Sequence, residues 1–293
     1  MAQHGEPSDT DPNAETPPVR QDPLGEETIP VARPIVLDLI DPPGSEMLLT
    51  HSSTPAKSLM DIGILVLLLF AAEVVAASVF LAVGGDEQGL SNMESETSRL
   101  LVPLLTVRLV VVLTVVWLIL KYRCQSVRSI GVTNRGLLLN LPIGGLTAAC
   151  AGGCNFVVMT VLLFLFPSLL EQMIRNAEQI DSLMPDMPIL ATGGVMLMVG
   201  VWEEVFFRGF LMTRIRRATN SWVLAVLIST AVFVLPHLLE QTPAAMIPIA
   251  VLSLVFSLVT IWRRSIIPAI VAHAIYNLTV LVYLTFYGKD LLA

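Results

Sequence analysis

A chain of 293 residues that is 54% hydrophobic and 14% charged, with a mean hydropathy of +0.74, is too apolar for a soluble domain, which averages about half apolar and about a quarter charged residues. Its net charge of −7 is localised: residues 1–56 hold ten acidic and two basic residues, a balance of −8, and the remainder is close to neutral at +1. That pattern excludes a nucleic-acid-binding surface and leaves an integral membrane protein, an all-α polytopic bundle, with an acidic tail.

The tail, residues 1–56, is rich in Pro, Asp, Glu, Thr and Ser and has no apolar period, so it is predicted to be disordered. No positively charged start leads into an early apolar run, which argues against a signal peptide. The short Pro34–Ile40 patch reads as part of the tail.

A membrane-spanning helix needs roughly 20 mainly apolar residues. Seven segments qualify, at about 58–83, 100–120, 138–166, 189–212, 221–239, 244–262 and 265–287, and a short or re-entrant eighth helix fits within 167–187. They divide into N-terminal transmembrane helices over 57–188 and a core over 189–287. With the tail in the cytoplasm, the inner segments carry ten Lys and Arg residues and the outer segments three (Arg99, Arg175 and Lys289). Lys and Arg gather in cytoplasmic loops, so the bias supports seven spans with the N-terminus inside.

Charges within these spans are costly and call for an explanation. Glu73 in the first and Arg108 in the second lie at matched depth on adjacent antiparallel helices, which predicts a structural ion pair. In the third segment Cys150 and Cys154 stand four apart among Gly144, Gly145, Gly152 and Gly153. That spacing reads as a close helix-packing face rather than a metal or redox site.

The last three polar clusters carry chemistry. Glu203, Glu204 and Arg208 occupy the fourth span, Phe233 and His237 the fifth, and His273 and Asn277 the seventh. Glu204 and Arg208 are four apart and can pair, while Glu203 is rotated about 100° from Glu204. One carboxylate is then neutralised by arginine and the other is free to act as a base. Of four histidines, two (His4 and His51) lie in the tail and both others lie in this cluster. A carboxylate beside a histidine can deprotonate water, and a second histidine with an amide can hold a developing oxyanion. No Ser or Cys stands at a motif spacing from a histidine, so a nucleophilic side chain is not indicated. Counted at ~1.5 Å per residue from the inner ends, Glu203, His237 and His273 lie at roughly 20, 25 and 12 Å. Tilt or a distortion at Pro236 would have to close that spread.

Together Glu203-Glu204-x-x-x-Arg208, Phe233-x-x-x-His237 and His273-x-x-x-Asn277 on successive late spans resemble the CAAX prenyl protease and bacteriocin-processing family of intramembrane proteases. The neighbouring Ser265-Ile-Ile-Pro-Ala-Ile-Val-Ala-His273 fits as well, and the resemblance covers about residues 189–285. It implies an endopeptidase in which Glu203 and His237 activate water, His273 and Asn277 stabilise the oxyanion, and Glu204, Arg208 and Phe233 support them. It implies a membrane-associated protein or peptide substrate, CAAX-like or leader-peptide-like, with lipids as the remaining partners and no nucleic acid.

Two other classes stay open: a non-catalytic membrane scaffold or bacteriocin-immunity protein, and a proton-coupled transporter, although related halves with interrupted helices are not found. The family is often labelled metalloprotease, and Glu203, His237 and His273 could ligate zinc. Counting side chains favours no cofactor, because Arg208 occupies Glu204 and no further carboxylate remains in the late spans to orient metal-bound imidazoles.

Overall fold

A computed structural model describes residues 54–83, 93–133, 136–183, 187–239 and 241–292. All but the last few residues of the predicted disordered tail, the Pro34–Ile40 patch included, lie outside them. Among the described residues the chain forms eight helices: α1 (Pro55–Val83), α2 (Met93–Tyr122), α3 (Leu137–Leu165), α4 (Leu169–Leu183), α5 (Ile189–Thr219), α6 (Trp222–His237), α7 (Met246–Arg263) and α8 (Ile267–Leu292). Short 3₁₀ turns at Val127–Ile130 and Pro243–Ala245 precede α3 and α7.

Six helices (α1, α2, α3, α5, α7 and α8) are long and apolar enough to cross a membrane. The expected span at 221–239 forms a shorter apolar helix, α6, of 16 residues. Ser221 starts it by accepting from the Leu224 N–H at 3.3 Å. Beyond His237 the bonds tighten: Leu238 N–H reaches the Leu235 carbonyl and Leu239 N–H that of Pro236, so the helix ends there. At ~1.5 Å per residue α6 spans roughly 24 Å, short of the roughly 30 Å hydrocarbon core. The eighth helix is α4, whose Glu171, Arg175, Glu178 and Asp181 are exposed while Asn176 is buried.

The core forms where α5 and α8 meet their neighbours. A Cβ on Gly144 of α3 would stand 2.5 Å from the Val271 Cβ of α8, and one on Gly200 of α5 would stand 3.1 Å from the Ile270 carbonyl and 3.5 Å from the His273 Cβ. Both glycines therefore let α8 approach closer than any side chain would allow. The packing face of α3 runs through Gly144, Ala148, Ala151 and Asn155. Cys150 and Cys154 are exposed instead, and a Cβ on Gly145 or Gly153 would meet nothing within 4 Å. The packing role expected of the cysteines is thus corrected: 3.6 residues per turn puts them on the outward face.

Glu73 and Arg108 meet as a bidentate pair, with Arg108 Nε donating to Oε1 at 2.5 Å and Nη2 to Oε2 at 3.2 Å. The pair joins α1 to α2. A second ionic joint, not anticipated from the sequence, lies at the opposite end of α1. Asp61, 1% exposed, accepts from Arg123 Nη2 at 2.6 Å and Nε at 3.0 Å. Arg214 of α5 lies 3.7 Å away and donates to the Gln125 side chain at 2.6 Å. The available signal was an acid in the apolar Leu59-Met60-Asp61-Ile62 run, facing the cation-rich segment after α2. Arg214 and Arg263, counted as loop cations in the charge bias, are both buried.

Candidate active site

The seven residues singled out as catalytic or supporting lie on three helices, and close contacts join most of them. Glu203 and Glu204 end the first stretch of α5, where the helix widens into a π-helical segment, Val205–Leu211, that carries Arg208. Glu204 Oε1 accepts two bonds of 2.8 Å, from Arg208 Nη1 and from His273 Nδ1. A carboxylate oxygen only accepts, so Nδ1 of His273 carries a proton. The other ring nitrogen, Nε2, stands 3.6 Å from Glu203 Oε2. Two lone pairs would repel there, so one further proton, or a water, belongs between them.

His237 sits at the end of α6, half-buried, within electrostatic reach of Glu203. Its Nδ1 donates to the Phe233 carbonyl at 2.9 Å. That bond leaves Nε2 with its lone pair outward, the form that can accept a proton. The Phe233 ring lies between the groups it supports: 5.1 Å from the His237 ring, 6.3 Å from the His273 ring and 4.5 Å from the Arg208 guanidinium. Phe256, which the sequence did not single out, lies 5.6 Å from His273 and 5.7 Å from Arg208. These ring faces compensate Nε and Nη2 of Arg208, which form no hydrogen bond among the described residues.

Burial separates the two carboxylates. Glu204 and Arg208 are 0% exposed, whereas Glu203 is 8% exposed and His237 more so. Asn277 is half-buried one turn along α8 from His273, and no hydrogen bond joins it to the two glutamates or to either histidine. The structure therefore links Glu203, Glu204, Arg208, Phe233 and both histidines, and leaves Asn277 at their margin.

The difference in depth between Glu203 and His273, counted from the helix ends, closes for a specific reason. The Ile266 N–H, just before α8, donates to the Gly131 carbonyl at 3.1 Å. The turn that holds Gly131 packs on α5 at Gly209, where a Cβ would stand 2.9 Å from the Ile130 carbonyl. The start of α8 is thus level with Gly209, ten residues short of the end of α5. From Gly209 to Glu203, and from Ile267 to His273, the rise is six residues, or ~9 Å, in each case.

Zinc was the alternative for Glu203, His237 and His273. Among the described residues no three His, Cys, Asp or Glu side chains form a group able to hold a metal ion, so this trio does not fit one as placed. One premise used against zinc is corrected: Glu204 has a second acceptor role beside Arg208 and does orient an imidazole, that of His273.

Residues 185–279 match the family model described as type II CAAX prenyl endopeptidase Rce1-like. The match begins just before α5, ends within α8 and contains all seven residues above; α1 to α4 fall outside it. It is the family read from the three motifs, a protease family, and with the six long apolar helices it makes this an integral multi-pass membrane protein. No curated protein and no solved structure matches the chain.

Proposed function

We propose that this protein is an intramembrane endopeptidase that hydrolyses a peptide bond of a membrane-associated protein or peptide, CAAX-like or leader-peptide-like, by water attack. The observation that supports it is the division of the site. Arg208 and Glu204 are fully buried and Glu204 holds His273 by Nδ1, while Glu203 keeps a small exposure and His237 is half-buried.

In this reading Glu203, with His237 Nε2 beside it, takes a proton from water as the water oxygen bonds to the scissile carbonyl carbon. His273 donates from Nε2 to the developing oxyanion, its imidazolium stabilised by the Glu204 carboxylate, and the Asn277 amide donates beside it. The C–N bond then breaks, and the proton taken from water passes to the leaving amine.

In this reading no step uses a metal, because Glu203, His237, His273 and Asn277 fill every role of base and oxyanion donor. Purified protein should cleave members of a lipidated and leader-peptide library and keep its rate after exhaustive chelation. Loss of activity restored by stoichiometric zinc would make Glu203, His237 and His273 ligands instead. Absence of cleavage across the library would favour the scaffold reading.

We also place the N-terminus in the cytoplasm, with α6 completing seven crossings despite its length. The support is the ten-to-three bias of Lys and Arg, two members of which, Arg214 and Arg263, are buried at helix ends. Fusion reporters after 128, 217 and 264 should read as cytoplasmic; a reporter placing the C-terminus there too would refute the seven crossings.

A further inference from the structure

All seven residues of the π segment Val205–Leu211 are buried, although a regular helix at the edge of a core would turn one side outward. Its hydrogen bonding shows how. The Met212 N–H donates to the Phe207 carbonyl five residues back, rather than four. One residue is thereby accommodated beyond the α-helical count, so Glu203 and Glu204 on one side are turned by about 100° relative to the residues from Met212 onward. Both stretches then face the bundle: the first reaches His273, and the second carries Arg214 to Asp61.

A widened turn needs support for its carbonyls, and two side chains provide it. Thr213 donates to the Gly209 and Phe210 carbonyls at 2.6 and 2.9 Å from within the same helix. Ser229 donates to the Phe207 carbonyl at 3.1 Å from α6, so that carbonyl accepts both the Met212 N–H and a hydroxyl. Ser229 is 0% exposed. It also shares a face of α6 with Phe233 and His237, at successive steps of four. Along that face one residue grips the π segment, the next stacks on Arg208, and the third is the proposed partner of Glu203.

We propose that Ser229 is a positioning residue of this site: by holding the Phe207 carbonyl it keeps the π segment in register with α6, and so keeps the Arg208–Glu204–His273 chain aligned with Glu203 and His237. For its effect on turnover the proposal rests on the peptidase reading; its effect on the site itself does not.

The test compares Ser229→Ala with Ser229→Thr, which retains the hydroxyl, and with Ser229→Cys, which keeps the size with a weaker donor and stands in for Thr should that variant not fold. In folded protein Ser229→Ala should lower kcat by about ten- to a hundredfold, as expected for a small misplacement of reacting groups, with KM within about twofold. Thr should return kcat to within about threefold of wild type, and Cys should fall between. In parallel, ¹⁵N-histidine NMR of the folded protein should show the His273 ring nitrogens shifted in Ser229→Ala and restored in Ser229→Thr. Wild-type kcat and unshifted histidine resonances in Ser229→Ala would overturn the proposal, as would equal impairment by Ala and Thr. Should the wild-type protein cleave nothing, the peptidase reading fails while the histidine resonances still decide the role of Ser229.

Discussion

Glu203→Gln should lower kcat by roughly 10²–10⁴, the range contributed by a positioned general base, while the protein remains folded. The substitution keeps the shape of the side chain and removes its basicity. It is tolerated structurally because Glu203 makes no short ion pair: its nearest basic partner, Nε2 of His273, is 3.6 Å away, and the 2.8 Å bond that ties α5 to α8 belongs to Glu204. His237, whose Nδ1 is held by the Phe233 carbonyl, keeps its Nε2 lone pair and accounts for the activity that remains. The measurement is kcat and KM on one cleaved peptide, with folded fraction determined by gel filtration and thermal unfolding in detergent. Wild-type turnover in folded Glu203→Gln protein would refute the assignment of the base and move attention to His237.

The second large effect falls on stability. Arg208→Ala should destabilise the protein by about 3–5 kcal/mol, the loss typical of breaking a buried ion pair from one side. Arg208 and Glu204 are both 0% exposed, so no solvent reaches the carboxylate left behind. His273 still contacts it, but only as an imidazolium does it compensate the charge, and the guanidinium supplies that charge permanently. The guanidinium also fills the space over Phe233 and Phe256, so a void adds to the loss. Glu204→Gln combined with Arg208→Met should recover part of the folded yield, because two neutral groups of similar size remove the unpaired charge. Thermal unfolding of wild type, Arg208→Ala and the double variant decides the matter: an Arg208→Ala variant as stable as wild type would show that the pair does not hold α5.

Much of this molecule was legible as one-dimensional text. Six of the seven apolar runs read as spans form helices long enough to cross a bilayer, and the polar residues interrupting them stood out because a buried ionisable group in lipid needs a partner. The partnership of Glu204 with Arg208 follows from helical spacing, and that of Glu73 with Arg108 from matched depth. The motif order pointed to the family whose model matches residues 185–279. Each of these rests on local periodicity or on the energy of a single group, both of which a sequence states directly.

What only the tertiary structure decided concerns relations between helices. Periodicity cannot say which face of α3 meets α8, and the face proves to be that of Gly144, Ala148 and Ala151 rather than that of the cysteines. Nor does counting residues from helix ends give depth, because the ends are not level: the 127–131 turn sets the start of α8 opposite Gly209. Glu204 acquired its second partner, His273, from a residue 69 positions away, and Asp61 gathered Arg123 from the turn after α2 and Arg214 from α5. The π segment was hidden for the same reason. Its seven residues carry no Pro and a single Gly, and what widens the turn is the set of groups that meet its carbonyls, supplied in part by Ser229 of another helix. Chain-local energetics set which segments become helices; the rotation and level of each helix are set by contacts between residues distant in the chain, and those exist only once the bundle has closed.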